Sequence, residues 1–372
     1  MFVGHPVIPV SRPNLGVEEA ANVAEVMAST QISSRGVFLD RFEEEFADFV
    51  GVRHGIATSS GTTALQLVLM AHGVTRGDEV VVPSLTFAAV ANAVVACGAT
   101  PVVVDIDGAS LTLCPEAFAS AITECTKAVI PVHLYGLPAR MDAITHIADC
   151  HEIVVVEDAA EAHGALYRGK RVGSLGDSAI FSFYGNKILT TGEGGMVVTD
   201  DHDLAARMRL LRGHGIDSSR QFWSVEPGFN FRLSNLAAAI GLAQLHRFDE
   251  ISAGFNRVAE QYRQALGGHP QLELIPPNSD VTAANWLFTI FLRDPAANRD
   301  RVMVALAEKG IETRPVFPPL HLMTPFHNAA AHCPQAERRA ARGLSLPTSS
   351  LMSEDDVVVV VDALLLAMSE CV

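Results

Sequence analysis

The sequence is organised around one stretch, Ser182-Phe183-Tyr184-Gly185-Asn186-Lys187-Ile188-Leu189-Thr190-Thr191-Gly192-Glu193-Gly194-Gly195-Met196. Its lysine, Lys187, lies among glycines and hydroxyl residues and has no acidic neighbour at helical spacing. Glycine allows a sharp turn and a close approach of the backbone to a ligand. A lysine held there loses solvation, which lowers the pKa of its amine and makes it a nucleophile towards aldehydes. We therefore expect Lys187 to form a Schiff base, and a lysine on a mobile loop is the alternative.

Length and composition indicate a globular protein of roughly two domains. The formal net charge of −15 argues against a nucleic-acid partner, although backbone amides at a helix N-terminus still bind phosphate in such a chain. The sequence does not begin with a basic segment followed by an apolar core, so we expect no signal peptide, and the apolar segment 85–104 is interrupted by Asn92, Gly98 and Pro101. We therefore expect a cytoplasmic protein that neither crosses nor binds a membrane.

The cysteines form no CxxC pair. This spacing predicts reduced thiols rather than disulfides or a metal site. The six are Cys97, Cys114, Cys125, Cys150, Cys333 and Cys371.

Hydroxyl residues surround a glycine where a short apolar strand meets a helix, in Thr58-Ser59-Ser60-Gly61-Thr62-Thr63. The amides and the dipole of a helix N-terminus together make an anion site. An ordinary N-cap needs only one hydroxyl, and this segment has five. We therefore favour phosphate binding here, with simple capping as the alternative.

Short apolar runs alternate with segments of helical length, which predicts an α/β fold with a mainly parallel sheet covered on both faces. Phe87 follows one of these runs, 80–82, at the edge where such sheets bind ligands, so we expect it to stack on a planar group or to lie in the core. Asp158 ends another run, 153–158. A carboxylate there reaches a buried cation, and a helix N-cap is the alternative.

The pattern changes near residue 248, where we place the boundary between a large α/β domain, 1–248, and a smaller C-terminal α/β domain, 249–372. A capping box with aspartate in place of glutamate, Ser353 to Asp356, predicts the start of the last helix. We also predict a core-facing helix over 39–50, a hairpin over 166–172, helices over 252–266 and 300–309, and strands over 286–293 and 313–316.

Four features converge on one cofactor, pyridoxal 5′-phosphate. Its aldehyde needs the lysine, its ring nitrogen a carboxylate, its ring face an aromatic cover, and its phosphate amides and hydroxyls. The carboxylate keeps the ring nitrogen protonated, so the ring accepts the electrons left when a Cα–H bond breaks. Each feature is weak alone, and the set in this order is fairly specific.

The sequence resembles the DegT/DnrJ/EryC1/StrS family of sugar aminotransferases over nearly its whole length, which implies the fold of type I pyridoxal phosphate enzymes. The matching segments are Ser59-Ser60-Gly61-Thr62-Thr63-Ala64-Leu65, Gly77-Asp78-Glu79-Val80, Glu157-Asp158-Ala159-Ala160-Glu161-Ala162-His163-Gly164, Ser182-Phe183-Tyr184-Gly185-Asn186-Lys187, Thr191-Gly192-Glu193-Gly194-Gly195 and Gly228-Phe229-Asn230-Phe231-Arg232.

The resemblance implies a role for each matching residue. Lys187 and Asp158 are the catalytic pair, with Lys187 on the aldehyde and Asp158 on the ring nitrogen. The other implied cofactor contacts are Phe87 on the ring face, Gly61, Thr62 and Ser182 on the phosphate, and Asn230 reaching the phosphate from a second subunit of a homodimer. Glu161 is placed near the ring hydroxyl or the incoming amine, or it accepts a backbone hydrogen bond. For His133, Tyr184, Arg314 and His321 we expect substrate contacts, with structural hydrogen bonds as the alternative for the two histidines and Arg314.

The resemblance also implies the reaction. L-Glutamate gives its amino group to the cofactor, which then aminates the 4-keto carbon of a nucleotide-linked 4-keto-6-deoxy sugar. GDP-4-dehydro-6-deoxy-D-mannose is our first choice, and a dTDP- or UDP-linked ketosugar is the alternative. A regulator that binds pyridoxal phosphate without catalysis is a third hypothesis. A tetramer is compatible with the sequence as well as a dimer.

Overall fold

The computed structural model describes residues 8–217, 219–220, 222–276, 278–327 and 331–371. Its centre is a seven-stranded sheet in the order β1-β9-β8-β5-β4-β2-β3. Four of the neighbouring pairs are parallel, and the pairs β1–β9 and β8–β9 are antiparallel. The mainly parallel sheet expected from the sequence is therefore confirmed. Its strands are β1 His54–Thr58, β2 Glu79–Pro83, β3 Thr100–Val104, β4 Thr126–Val129, β5 Val154–Asp158, β8 Ser178–Ser182 and β9 Gly195–Thr199.

Helices that pack on this sheet bury its apolar side chains. In the second of them, Phe42 and Phe46 are fully buried, and the Phe46 ring lies edge-on to Phe181, next to the lysine stretch, and to Phe183 within it, at centroid distances of 4.9 and 5.1 Å. The core-facing helix predicted over 39–50 is therefore confirmed. The helices are α1 Val17–Ser29, α2 Val37–Val50, α3 Gly61–Ala71, α4 Ala89–Ala96, α5 Pro115–Ala121, α6 Met141–Cys150, α7 His202–Arg212 and α8 Asn235–His246.

The rest of the chain builds a second sheet, with four antiparallel strands in the order β10-β12-β14-β13. A second buried cluster, which includes Tyr262, Ile290 and Leu364, fills the space between this sheet and its helices. The boundary near residue 248 remains a prediction and coincides with the start of α9. The elements are α9 Phe248–Leu266, β10 Leu272–Leu274, β12 Phe288–Leu292, α10 Arg299–Glu308, β13 Arg314–Pro315, α11 Pro334–Arg342, β14 Gly343–Leu346 and α12 Glu354–Cys371.

Local signals account for several of these boundaries. Ser353 Oγ accepts a hydrogen bond from the Asp356 backbone N–H, and Asp356 Oδ2 accepts one from the N–H of Ser353, so the capping box of α12 is confirmed. Helix α9 begins four residues earlier than expected, because Asp249 and Glu250 stabilise its positive N-terminal end.

The predicted hairpin is also present. It forms β6 Leu166–Tyr167 and β7 Lys170–Arg171, and β11 Val281–Thr282 joins it as a third strand. Of the helices that the structure describes, none combines the length and the apolar character that a membrane crossing requires.

Candidate active site

A pocket of about 380 Å³ opens at the carboxyl ends of β2, β5 and β8. Strand β5 ends at Asp158 and strand β8 ends at Ser182, and the two strands are parallel neighbours, so both side chains reach the same edge of the sheet. The pocket brings together nine of the residues named from the sequence: Gly61, Thr62, Phe87, Asp158, Glu161, Ser182, Tyr184, Lys187 and Arg314.

Lys187 lies in this pocket with its amine largely shielded from solvent. The Nζ atom is 3.5 Å from Oε1 of Glu161 and 3.9 Å from the ring centroid of Trp286. Burial lowers the pKa of the amine, and the charges of Glu161 and Asp158 partly oppose that effect. Because the neutral amine is the nucleophile, this environment increases its reactivity at a given pH.

Asp158 is buried with few partners for its charge. Its Oδ1 atom accepts a hydrogen bond of 3.0 Å from the backbone N–H of Ala160, two residues further along the chain. Burial raises the pKa of the carboxyl, and the hydrogen bond and the charge of Lys187 only partly offset this. The ionised carboxylate therefore gains from a cationic group beside it, such as a protonated ring nitrogen.

The N-terminus of α3 forms an anion cradle. Ser60 caps the helix by accepting a hydrogen bond from the N–H of Thr63. Within the described part of the chain, the N–H groups of Gly61 and Thr62 have no acceptor. A Cβ on Gly61 would lie 2.9 Å from Cβ of Ser182, so only glycine leaves this space open. Two free amides and the Ser182 hydroxyl are the donor set that a phosphate requires.

Glu161 uses its two carboxylate oxygens differently. Oε2 accepts a hydrogen bond of 2.8 Å from the backbone N–H of Tyr135, and Oε1 faces the amine of Lys187. Tyr135 has a left-handed backbone with φ of 54°, which this hydrogen bond helps to hold. Burial raises the pKa of Glu161, and the charge of Lys187 opposes the rise. The carboxylate therefore both orients a loop and faces the reactive amine.

Aromatic side chains form one wall of the site. Phe87 is 58% exposed, and its ring lies 5.7 Å from that of Phe317. Tyr135 stacks on Phe317 at 5.5 Å and on Trp286 at 6.4 Å. Trp286 and Phe317 line the pocket, Tyr135 contacts both, and none of the three was predicted from the sequence. For Trp286 no local signal was present, because it is 100 residues from the chain segment that it contacts, at Asn186.

Two histidines named from the sequence lie outside the pocket. His133 is fully buried; its Nδ1 accepts a hydrogen bond from the N–H of Ala139, so its proton is on Nε2, which donates to Glu157 at 2.9 Å. His321 is also buried, with Nδ1 2.7 Å from Ser84 Oγ and Nε2 near a glutamate. Both rings therefore hold parts of the fold together.

Asn230 lies outside the pocket of its own chain. Its side chain is exposed, and Oδ1 accepts a hydrogen bond of 2.9 Å from Nε of Arg232. Among the described residues, no hydrogen bond joins Asn230 to the anion cradle at Gly61, and its predicted contact from a second subunit stays a prediction.

A lysine, a buried carboxylate and an anion cradle along the carboxyl edge of a mainly parallel sheet define a fold type I pyridoxal phosphate enzyme. Within that class, the chain belongs to the DegT/DnrJ/EryC1/StrS aminotransferase family, whose sequence model matches residues 13–365. It is therefore an enzyme of the aminotransferase type.

Relatives at near-full length support this assignment. GDP-perosamine synthase from Caulobacter vibrioides is 49% identical over 363 residues, which cover 96% of this chain and 98% of that protein. The crystal structure of DesI in the presence of its TDP-sugar product is 36% identical, with a TM-score of 0.92 over 98% of this chain and 94% of that one. A putative sugar aminotransferase from Streptococcus pneumoniae, Spr1654, in its PMP form, is 25% identical with a TM-score of 0.93 and 98% coverage of both chains.

Proposed function

We propose that the protein transfers the amino group of L-glutamate to C4 of GDP-4-dehydro-6-deoxy-D-mannose and so produces GDP-perosamine. One observation carries the aminotransferase chemistry: the Lys187 amine lies in a buried pocket that also contains Asp158 and the anion cradle of α3. Similarity to the Caulobacter vibrioides GDP-perosamine synthase supports the choice of nucleotide sugar.

The residues of the pocket fit pyridoxal 5′-phosphate. The amides of Gly61 and Thr62 and the hydroxyl of Ser182 would hold its phosphate, and the Asp158 carboxylate would hold the proton on its ring nitrogen. When bound, the cofactor supplies an aldehyde that carries the amino group and a ring that accepts the electron pair of a broken Cα–H bond.

Lys187 has two tasks in this mechanism. Its amine would hold the cofactor in the resting enzyme, and once free it would move a proton at Nζ, first from Cα of glutamate and later to C4 of the sugar. The lowered pKa of Lys187 suits both tasks, since burial leaves more of the amine in the neutral form that accepts a proton. Glu161, 3.5 Å away, would orient the amine between these steps.

Arg314 and Tyr184 are the best-placed contacts for the substrates. Both line the pocket, and Tyr184 is 50% exposed. The positive charge of Arg314 contributes to lowering the pKa of Lys187. A guanidinium in the lining of the pocket would attract the carboxylates of glutamate and the diphosphate of a nucleotide sugar. We infer that the working enzyme is a cytoplasmic homodimer in which Asn230 of one subunit completes the phosphate site of the other.

The test is amination of a substrate panel. The purified protein, loaded with pyridoxal phosphate, is incubated with ¹⁵N-glutamate and with GDP-, dTDP- and UDP-linked 4-keto-6-deoxy sugars. The masses of the products are then measured by mass spectrometry. We expect ¹⁵N in the GDP-linked product and none with Lys187→Arg, which keeps the charge but not the primary amine. Amination of a dTDP- or UDP-linked sugar alone would assign the alternative substrate. If no 2-oxoglutarate forms with any of the sugars, the hypothesis of a regulator without catalysis replaces that of an aminotransferase.

A further inference from the structure

We infer that Trp286 is a positioning residue for Lys187: its indole face receives the amine whenever that amine is not bonded to the cofactor. Nζ lies 3.9 Å from the centroid of the Trp286 ring, well inside the roughly 6 Å range of a cation–π contact, and tryptophan is the best aromatic partner for an ammonium. Trp286 itself is only 2% exposed, so water does not compete for its face.

A second contact ties the same side chain to the lysine loop. The indole N–H of Trp286 donates a hydrogen bond of 2.7 Å to the backbone carbonyl of Asn186, the residue directly before Lys187. One side chain therefore fixes both the peptide that carries the lysine and the position of its amine. Tyr135 stacks on the indole and donates its backbone N–H to Glu161, so the tryptophan and the glutamate are braced by one residue.

The position matters in an aminotransferase because the lysine is released from the cofactor in each catalytic cycle. A free lysine side chain has many rotamers, and proton transfer needs the amine within hydrogen-bond reach of the reacting carbon. Trp286 and Glu161 together define one position for the free Nζ. This role rests on the function proposed above, but the contact itself exists without the cofactor.

Four other groups share the surroundings of the amine. Glu161 and Asp158 favour its charged form, and Arg314 disfavours it. His163 is uncharged at neutral pH, since burial lowers its pKa to about 3. A substitution at Trp286 removes none of these four groups, and Tyr135 links the indole to Glu161, so a control for loosening of this segment is needed.

The sequence contains four lysines, which makes a direct measurement feasible. Cofactor-free protein is reductively methylated at several pH values, and the labelling of Lys187 is measured by peptide mass spectrometry against the exposed Lys170 and Lys309. Without the indole face the ammonium is less stable, so the relative labelling rate of Lys187 at pH 7 should rise about two- to tenfold in Trp286→Leu. Trp286→Phe, which keeps a weaker aromatic face, should give a smaller rise.

Leu287→Ala is the matched control. Leu287 is the buried neighbour of Trp286 and lines a different groove, so its truncation loosens the same segment without removing the aromatic face. Labelling of Lys187 should remain as in the wild type. The labelling of Lys187 relative to Lys170 and Lys309 could instead stay at the wild-type value in Trp286→Phe and Trp286→Leu, or fall because water now reaches the amine. Either result would show that the tryptophan only fills space.

Turnover of the loaded enzyme gives the functional readout. In Trp286→Phe we expect kcat to fall about tenfold with the KM for the nucleotide sugar within about twofold, because only the proton-transfer steps use the free amine. A raised KM with unchanged kcat would overturn the positioning role. The labelling experiment uses cofactor-free protein, so its result does not depend on whether the proposed nucleotide sugar is aminated. The two hypotheses are therefore tested separately.

Discussion

The amine of Lys187 lies 3.5 Å from Oε1 of Glu161, a carboxylate whose other oxygen accepts the backbone N–H of Tyr135. This pairing ties the reactive amine to a loop of the large sheet, in which Tyr135 adopts a left-handed backbone. Replacement of the carboxylate by an amide separates these two roles, because the amide oxygen still accepts the Tyr135 hydrogen bond while the charge is lost.

Glu161→Gln should shift the reactivity of Lys187 to lower pH. The negative charge of Glu161 raises the pKa of the amine, so its removal lowers that pKa and leaves more neutral amine at a given pH. The rate at which cofactor-free protein takes up pyridoxal phosphate, measured by absorbance from pH 6 to 9, should therefore rise at the acidic end. A profile that coincides with the wild type, or moves to higher pH, contradicts the charge coupling.

Asp158→Asn should stabilise the cofactor-free protein at pH 7 and inactivate the loaded one. Burial raises the pKa of Asp158 above its unfolded value, so its contribution to folding is present at low pH and is lost as the pH rises. The amide removes that loss, and the thermal midpoint at pH 7 should increase. Turnover should fall by about 100-fold or more, because the ring nitrogen loses its partner.

The exposed Asp362 provides the control for that experiment. Asp362→Asn should leave both the thermal midpoint and the turnover unchanged. An unchanged or lower midpoint in Asp158→Asn would mean that the ionised carboxylate costs no folding free energy.

Gly61→Ala should weaken cofactor binding. The added methyl would lie 2.9 Å from Cβ of Ser182 and would fill the anion cradle. We expect the Kd for pyridoxal phosphate, measured by fluorescence titration, to rise about tenfold or more, and the free energy of unfolding to fall by about 1–3 kcal/mol. Gly213→Ala is the control, since a Cβ there meets nothing nearer than 3.4 Å. Equal effects of the two substitutions would mean that the cradle is not the phosphate site.

His133→Ala should reduce stability rather than substrate affinity. The substitution leaves the buried N–H of Ala139 without its acceptor and removes the donor to Glu157, at a cost of about 1–3 kcal/mol for each unpaired group. Urea unfolding should show this loss, with the KM for the nucleotide sugar unchanged. Arg314→Ala, in the pocket, should raise the KM for the nucleotide sugar and leave the free energy of unfolding unchanged. A KM that rises tenfold in His133→Ala at constant stability would place this histidine on the substrate.

A mixed dimer should regain activity lost in its parents. Lys187→Ala removes the amine, and Asn230→Ala removes the proposed phosphate contact to the neighbouring subunit. If that contact crosses between subunits, a mixed dimer contains one site in which both residues are intact. Refolding the two variants together should restore about a quarter of the wild-type activity, because half of the dimers are mixed and half of their sites are intact. No recovery above the parent values would place Asn230 on its own subunit's site or outside both.

The sequence determined the sheet, the pocket edge and most of the chemistry. Apolar runs that end in Asp158 and Ser182, and hydroxyls around Gly61 at a helix start, are local patterns, and parallel strands necessarily bring their carboxyl ends to one edge. Local capping signals likewise predicted the start of α12.

The side chains that complete the site come together through long-range packing. Trp286 reaches Lys187 from a distant part of the chain, whereas His133 and His321 turn inward to buried partners. Such contacts depend on how two sheets and their connecting loops pack, and packing is set by long-range burial that no local sequence pattern records. The sequence specified the groups that react, and the packing specified the groups that hold them in place.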